Sequence, residues 1–71
     1  MQFDQSFLKD HRISHKLTQK YVADHVGTTQ ATISKIESGV MEINIDIFFG
    51  YCKLFKVSPS TLAKRLGWEA G

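Results

Sequence analysis

The stretch that most constrains this chain is Leu17 to Gly39, LTQKYVADHVGTTQATISKIESG. Two short segments with apolar residues at helical spacing are joined there by Val26-Gly27-Thr28. Thr18 is a good N-cap, because its hydroxyl can accept from an otherwise unpaired backbone N–H of the first turn. The helix that follows, Gln19 to His25 or Val26, carries Val22, Ala23 and Val26 on one face. Gly27 ends it, as glycine beyond a helix C-terminus usually does. The next helix starts after Thr28 or Thr29 and runs to about Glu37, with Ile33 and Ile36 as its buried stripe, Ala31 beside it and Gly39 as its stop. So short a turn makes the two helices cross steeply. Ala23 is small enough to let them approach closely, and Ile33 plugs the angle between them from the other side.

The remainder of the chain supplies helices to pack around this pair. One spans about Gln5 to His15, with Asp4 as its expected cap. Asn44 caps another, with Ile45, Phe48, Cys52 and Phe55 at helical spacing. Ser58-Pro59, a cap followed by proline at the first helical position, opens a fifth that holds Leu62, Ala63 and Leu66 before Gly67. Ile43 to Ile47 alternates like a strand but has no partner, so it reads as a loop entering a helix. The chain has 71 residues, which is one domain at most, here taken as residues 1–71 with the paired helices at about 18–37. So small a chain has no room for a large cleft behind a core.

Charge alone decides nothing: nine Lys and Arg against seven Asp and Glu leave a net +2. Placement says more. The outer face of the third helix is Thr29, Gln30, Ala31, Thr32, Ser34 and Lys35, short or flexible residues rich in hydrogen-bonding groups. A merely solvated face would more often carry Glu–Lys pairs four apart. This set suits base edges in a major groove, where Gln pairs bidentately with adenine and Lys reaches guanine. The helix N-termini at Thr18-Gln19 and at Thr29 attract phosphate.

From about Leu8 to Leu62 the chain resembles the Cro/C1-type helix-turn-helix family, also called the XRE family. The residues that carry the likeness are Arg12, Leu17-Thr18-Gln19, Val22-Ala23, Gly27, Ile33-Ser34, Ile36-Glu37-Ser38-Gly39 and Val57-Ser58 with Leu62. The resemblance implies an all-α, compact five-helix lambda-repressor-like DNA-binding domain whose third helix enters the major groove. It also implies roles. Gln30, Ala31, Ser34 and Lys35 match base-reading positions. Gln19, Thr29 and Ser38 match phosphate-contacting ones, with Gln19 also steadying the recognition helix, and Thr18 joins them as a phosphate candidate by its place at a helix N-terminus. Arg12 and Glu37 match a buried ion pair between the first helix and the end of the third. The chain departs from the family at Lys16, where glycine usually closes the first helix, and at His11, where an apolar residue is usual. It departs again at Val40-Met41-Glu42, where Lys or Arg commonly touches phosphate, and at Ile43, a frequent proline. The loop lowers the expected number of phosphate contacts.

Other readings stand beside these. The Leu17–Gly39 stretch can be a packing hairpin only, and Arg12 and Glu37 can be solvated charges. Lys20, Lys53, Lys56, Lys64 and Arg65 read as surface charges, Lys20 being the one placed to help with phosphate. His11 and His15 have metal-ligand spacing, but two ligands make no site and no metal or cofactor is expected. Cys52 reads as a small core residue. It cannot form an internal disulfide, and with no secretory signal or membrane-spanning run the chain reads as cytoplasmic. Phe48, Phe49, Tyr51 and Phe55 exceed the needs of one small core, so Phe49 or Tyr51 is expected outside, together with Leu66 and Trp68. Such a patch would serve a second copy, or Trp68 would fold over the chain's own core. No phosphate-binding glycine loop, zinc-protease signature or activated nucleophile suggests an enzyme. The functional expectation is a regulator, of repressor type, that binds a palindromic operator in double-stranded DNA as a homodimer. The alternatives are a protein-interaction module of the same fold, an antitoxin or anti-repressor, and a restriction–modification controller.

Overall fold

The computed structural model describes residues 5–67. Five helices follow one another, and among the described residues there is no strand: α1 (Ser6–Ser14), α2 (Gln19–Val26), α3 (Gln30–Glu37), α4 (Ile45–Phe55) and α5 (Pro59–Leu66). Four of the five starts are fixed by a side-chain cap. Thr18 accepts from the N–H of Tyr21 at 3.0 Å, Thr29 from Thr32 at 3.2 Å, Asn44 from Ile47 at 2.9 Å and Ser58 from Thr61 at 3.1 Å. Each such cap contributes about 1 kcal/mol, which matters in helices too short to hold themselves in water.

α1 begins differently. Asp4, the expected cap, lies outside the described residues. Gln5 occupies the cap position without capping. Its buried amide turns inward instead. Nε2 donates to the carbonyls of Ile36 at 2.8 Å and Met41 at 3.0 Å, and the N–H of Ile43 reaches its Oε1 at 3.4 Å. One side chain thus ties the start of α1 to the segment that leaves α3, and it satisfies backbone groups that burial would otherwise orphan.

α2 lies at the centre, packed on both α3 and α4, while α1 packs on α3 and α5 on α4. The core joins Leu8 of α1, Val22, Ala23 and Val26 of α2, Ile33 and Ile36 of α3, and Leu62 and Leu66 of α5 to the inner side of α4. Gly50 sets how closely α4 meets α2. A Cβ there would stand 2.7 Å from the Cβ of Val26 and 2.9 Å from its Cα, a backbone atom that cannot yield.

Two apolar expectations are corrected. Ile45 is not part of the α4 core stripe but is 58% exposed. The buried residues of that helix are Ile47, Phe48, Tyr51 and Cys52, with Phe55 half-buried at the margin. Leu66 does not face outward but is fully buried, and of the pair Phe49 and Tyr51 it is Tyr51 that is buried. The spacing that joined Ile45 to Phe48 was one possible helical stripe. Contact with α2 on one side and α5 on the other selects a stripe rotated toward Ile47 and Tyr51. Phe49 does emerge at the surface. Trp68 lies outside the described residues.

Lys16 follows α1 with φ at 58°, and Lys56 closes α4 with φ at 56°, both in the left-handed region. The turn after α1 therefore keeps the conformation that glycine would favour, carried by a lysine at a steric cost.

Candidate nucleic-acid interface

Gly27 makes the turn between α2 and α3. Its φ is 81°, and its N–H and that of Thr28 both donate to the carbonyl of Ala23, at 3.0 and 2.9 Å. Nothing lies within 4 Å of where a Cβ would sit, so what glycine supplies here is backbone freedom rather than space. The turn delivers α3 with Ile33 and Ile36 fully buried. The side opposite them is then set by helical geometry.

That side carries Gln30, Ala31, Ser34 and Lys35, all exposed, with Thr29 exposed at the cap and Thr32 half-buried beside it. Ala31 therefore belongs to the outer surface and not to the buried stripe. Among the described residues, none bonds to the side chains of Gln30, Ser34 or Lys35. The hydroxyl of Thr29 is engaged with that of Thr32 at 3.0 Å. Ser38 closes the helix, and its Oγ donates to the Lys35 carbonyl at 3.1 Å. The same carbonyl accepts from the N–H groups of Val40 and Met41 at 3.0 and 3.2 Å, which fixes the exit of the chain.

Behind this surface lies a charged network. Arg12 Nε donates to Glu37 Oε2 at 2.7 Å and its Nη2 to Oε1 at 3.1 Å, a bidentate pair between α1 and the last turn of α3. The Glu37 side chain is only 3% exposed and that of Arg12 11%. Arg12 Nη1 also donates to the carbonyl of Leu17 at 2.7 Å. Gln19 Nε2 donates to Glu37 Oε1 at 3.1 Å. One amide hydrogen of Gln19 is thus spent on holding α3 to the start of α2, and the other stays available for an outside acceptor.

A shallow groove lined by Lys9, Gln19, Ser34, Glu37 and Ser38 runs past this network. It brings together three residues singled out from the sequence, Gln19, Ser34 and Ser38, and adds Lys9, which was overlooked. A signal for it existed. Lys9 precedes Arg12 by three positions on α1, so the two share a side of that helix. Thr18 and Thr29 do not join the groove; each sits at its own helix start. Lys20, also considered for phosphate, instead pairs with Asp24 at 3.2 Å on an open surface, where such a pair contributes little. The Val40-Met41-Glu42 loop brings no cation, and Val40 is 78% exposed.

The histidines lie elsewhere. The His11 and His15 rings lie 4.5 Å apart, tilted at 32°, and His11 meets the ring of Phe55 edge-on at 4.4 Å. Partial burial first, then neighbouring His15 and Arg65, lower the His11 pKa below its ordinary 6.5. Its aromatic contact explains how histidine stands at a position where an apolar residue is usual. Among the described residues, no three His, Cys, Asp or Glu converge as a metal site would need. Cys52 is buried, and burial raises its thiol pKa, so the neutral, weakly nucleophilic form dominates. No described helix is long and apolar enough to cross a membrane.

Two short capped helices at a tight turn, the second presenting an unpartnered polar side, define a DNA-binding helix-turn-helix protein. The model of a helix-turn-helix family matches residues 8–62, and the chain belongs to that family, the Cro/C1-type or XRE group of DNA-binding transcription regulators with a lambda-repressor-like all-α fold. No curated protein sequence matches the chain.

Proposed function

We propose that the chain, as one domain over residues 1–71, is a cytoplasmic repressor that binds a palindromic operator as a homodimer. The observation that carries this reading is the exposed strip of α3, whose side chains have no partner within the described fold. Gln30, Ala31, Ser34 and Lys35 read base edges, with Gln30 suited to adenine and Lys35 to guanine. Thr18, Gln19, Thr29 and Ser38 hold phosphates, helped by the positive ends of α2 and α3. Lys9 adds a cation beside Gln19 and Ser38. The Arg12–Glu37 pair keeps α3 at a fixed angle to α1 and α2 and touches no DNA. A two-fold dimer sets two recognition helices about 34 Å apart, one turn of B-DNA. Occupancy of the operator is then the signal, exerted by competition with polymerase for the same DNA.

The test is affinity for a random duplex at two salt concentrations, followed by selection of bound sequences from a random pool. Binding should weaken by about 0.9 log unit per log unit of salt for each phosphate neutralised. The selected sequences should share an inverted repeat with half-sites about one turn apart. A salt-independent affinity, or a pool that never enriches, ends the reading. One observation favours a second reading, a protein-interaction module such as an antitoxin or anti-repressor: the cation-free loop with Val40 bare. That reading predicts no duplex binding even at low salt.

A further inference from the structure

The outward side of α4 is apolar at its middle and charged at its ends. Ile45 and Phe49, four positions apart, are 58% and 45% exposed. Lys53, four further on, and Asp46 are exposed on the same side. The opposite side of the helix is buried against α2 and α5 through Ile47, Tyr51 and their neighbours. Phe49 is not loose, for its ring meets Phe48 edge-on at 5.4 Å. A fixed aromatic ring standing half in water beside an exposed isoleucine marks a contact surface.

We infer that this side of α4 is the homodimer interface, with two copies of α4 packed antiparallel and Phe49 on the two-fold axis. The charges select the partner. α4 is acidic near its start, at Asp46, and basic near its end, at Lys53. Antiparallel pairing about Phe49 brings Asp46 of each copy toward Lys53 of the other and sets each Ile45 against the aliphatic stem of Lys53. A two-fold contact must be complementary to itself, and this strip is. A parallel arrangement would set like charges together. The helix is about 16 Å long, so the interface is small. The dimer in solution is therefore weak, and a duplex with two half-sites strengthens it by mass action. The inference rests on the proposed operator-binding function and names the surface that joins the two copies.

Sedimentation of the full chain up to about 100 µM tests it, in a concentration range suited to a small interface. Wild type should show a monomer–dimer equilibrium. Phe49→Asp should weaken it about thirtyfold or more with an unchanged circular dichroism spectrum, since the ring is already half-exposed. Asp46→Lys and Lys53→Asp should each weaken association, and the double reversal should restore it. A merely structural role for either charge would not produce that rescue. Monomeric wild type at every concentration overturns the interface. So does an undiminished dimer of Phe49→Asp, a double reversal no better than the single ones, or a dimer lost only on removing Trp68 to Gly71. Duplex binding separates this from the underlying function. Phe49→Asp should bind random duplex as wild type does but lose cooperativity on a two-half-site duplex. If neither protein binds any duplex, the operator reading fails and sedimentation alone judges the interface.

Discussion

On its inner side α3 is held at every position: Ile33 and Ile36 have no exposed surface, and Glu37 accepts two bonds from Arg12 and one from Gln19. On its outer side Gln30, Ser34 and Lys35 hold nothing within the described fold, and Ala31 is bare. The same eight residues therefore answer to two different selectors. Inner positions are judged by stability and, on the proposed function, outer ones by what they touch in DNA. The inner side must be rigid for the outer to be useful, because a side chain displaced by an ångström misses its base edge. Substitutions on the inner side should move the melting temperature and spare sequence preference; those on the outer side should do the reverse.

The largest expected effect is on the inner side. Arg12→Ala leaves the Glu37 carboxylate buried with only Gln19 to meet it and frees the Leu17 carbonyl. Removing one partner of a buried pair costs about 3 kcal/mol, or roughly 15 °C in Tm for a domain of this size. Thermal melting by circular dichroism reads this, and an unchanged Tm would mean the pair fastens nothing. The folded fraction should keep its operator preference.

Next comes the outer side. Gln30→Ala should weaken specific binding by about 1–3 kcal/mol while leaving random-duplex affinity and Tm unchanged. Fluorescence anisotropy with operator and random duplexes measures both. Equal loss on the two would place Gln30 against the DNA backbone, and a lowered Tm would give it an inner role.

The division between the sides also explains what could be read from the sequence. Caps at Thr18, Thr29, Asn44 and Ser58 and stops at Gly27, Gly39 and Gly67 are local chemistry, decided within a few residues, and they placed the helices within a residue or so. The exposed strip of α3 was legible for the same reason: once Ile33 and Ile36 are inside, helical geometry puts Gln30, Ser34 and Lys35 outside. What was not legible depended on distant neighbours. Nothing in the pattern around Gln5 announces that it binds backbone more than thirty positions away. Gly50 looks like an idle glycine until α2 is laid across it. Ile45 was misplaced and Tyr51 left open because α4 is apolar nearly all round, and only its contacts with α2 and α5 choose which side goes in.

Tyr51 offers a smaller and opposite effect on the inner side. Its ring is fully buried, and among the described residues its hydroxyl has no hydrogen-bond partner. Burial, and after it the Glu37 carboxylate, push the phenol further above its ordinary range, with Arg12 pulling the other way. It therefore stays neutral, contributing a ring to the core and a polar atom with nothing to satisfy it. Tyr51→Phe keeps the ring and removes that atom, so stability should rise by about 1 kcal/mol. A fall in Tm would show that the hydroxyl is bonded in solution. DNA preference should not move, since the position is wholly internal.

The smallest effect belongs to the joint between α1 and α2, which lies on neither side of α3 but steadies the inner one. Lys16 stands there at φ 58° with its N–H on the Ile13 carbonyl at 2.9 Å, and the next residue, Leu17, gives its carbonyl to Arg12. A side chain in the left-handed region costs about 1–2 kcal/mol. Glycine removes that cost but adds freedom to the unfolded chain, worth about 0.4–1 kcal/mol the other way. Lys16→Gly should thus gain roughly 0.5 kcal/mol. Gly27→Ala is the mirror experiment. It meets open space, so its loss of about 1 kcal/mol would be conformational only. If both variants leave sequence preference untouched, the turns act only by holding α3 in place. If Lys16→Gly instead loosens operator selectivity, the strained joint is part of how Arg12 aims the recognition helix, and the separation between the two sides of α3 breaks at that point.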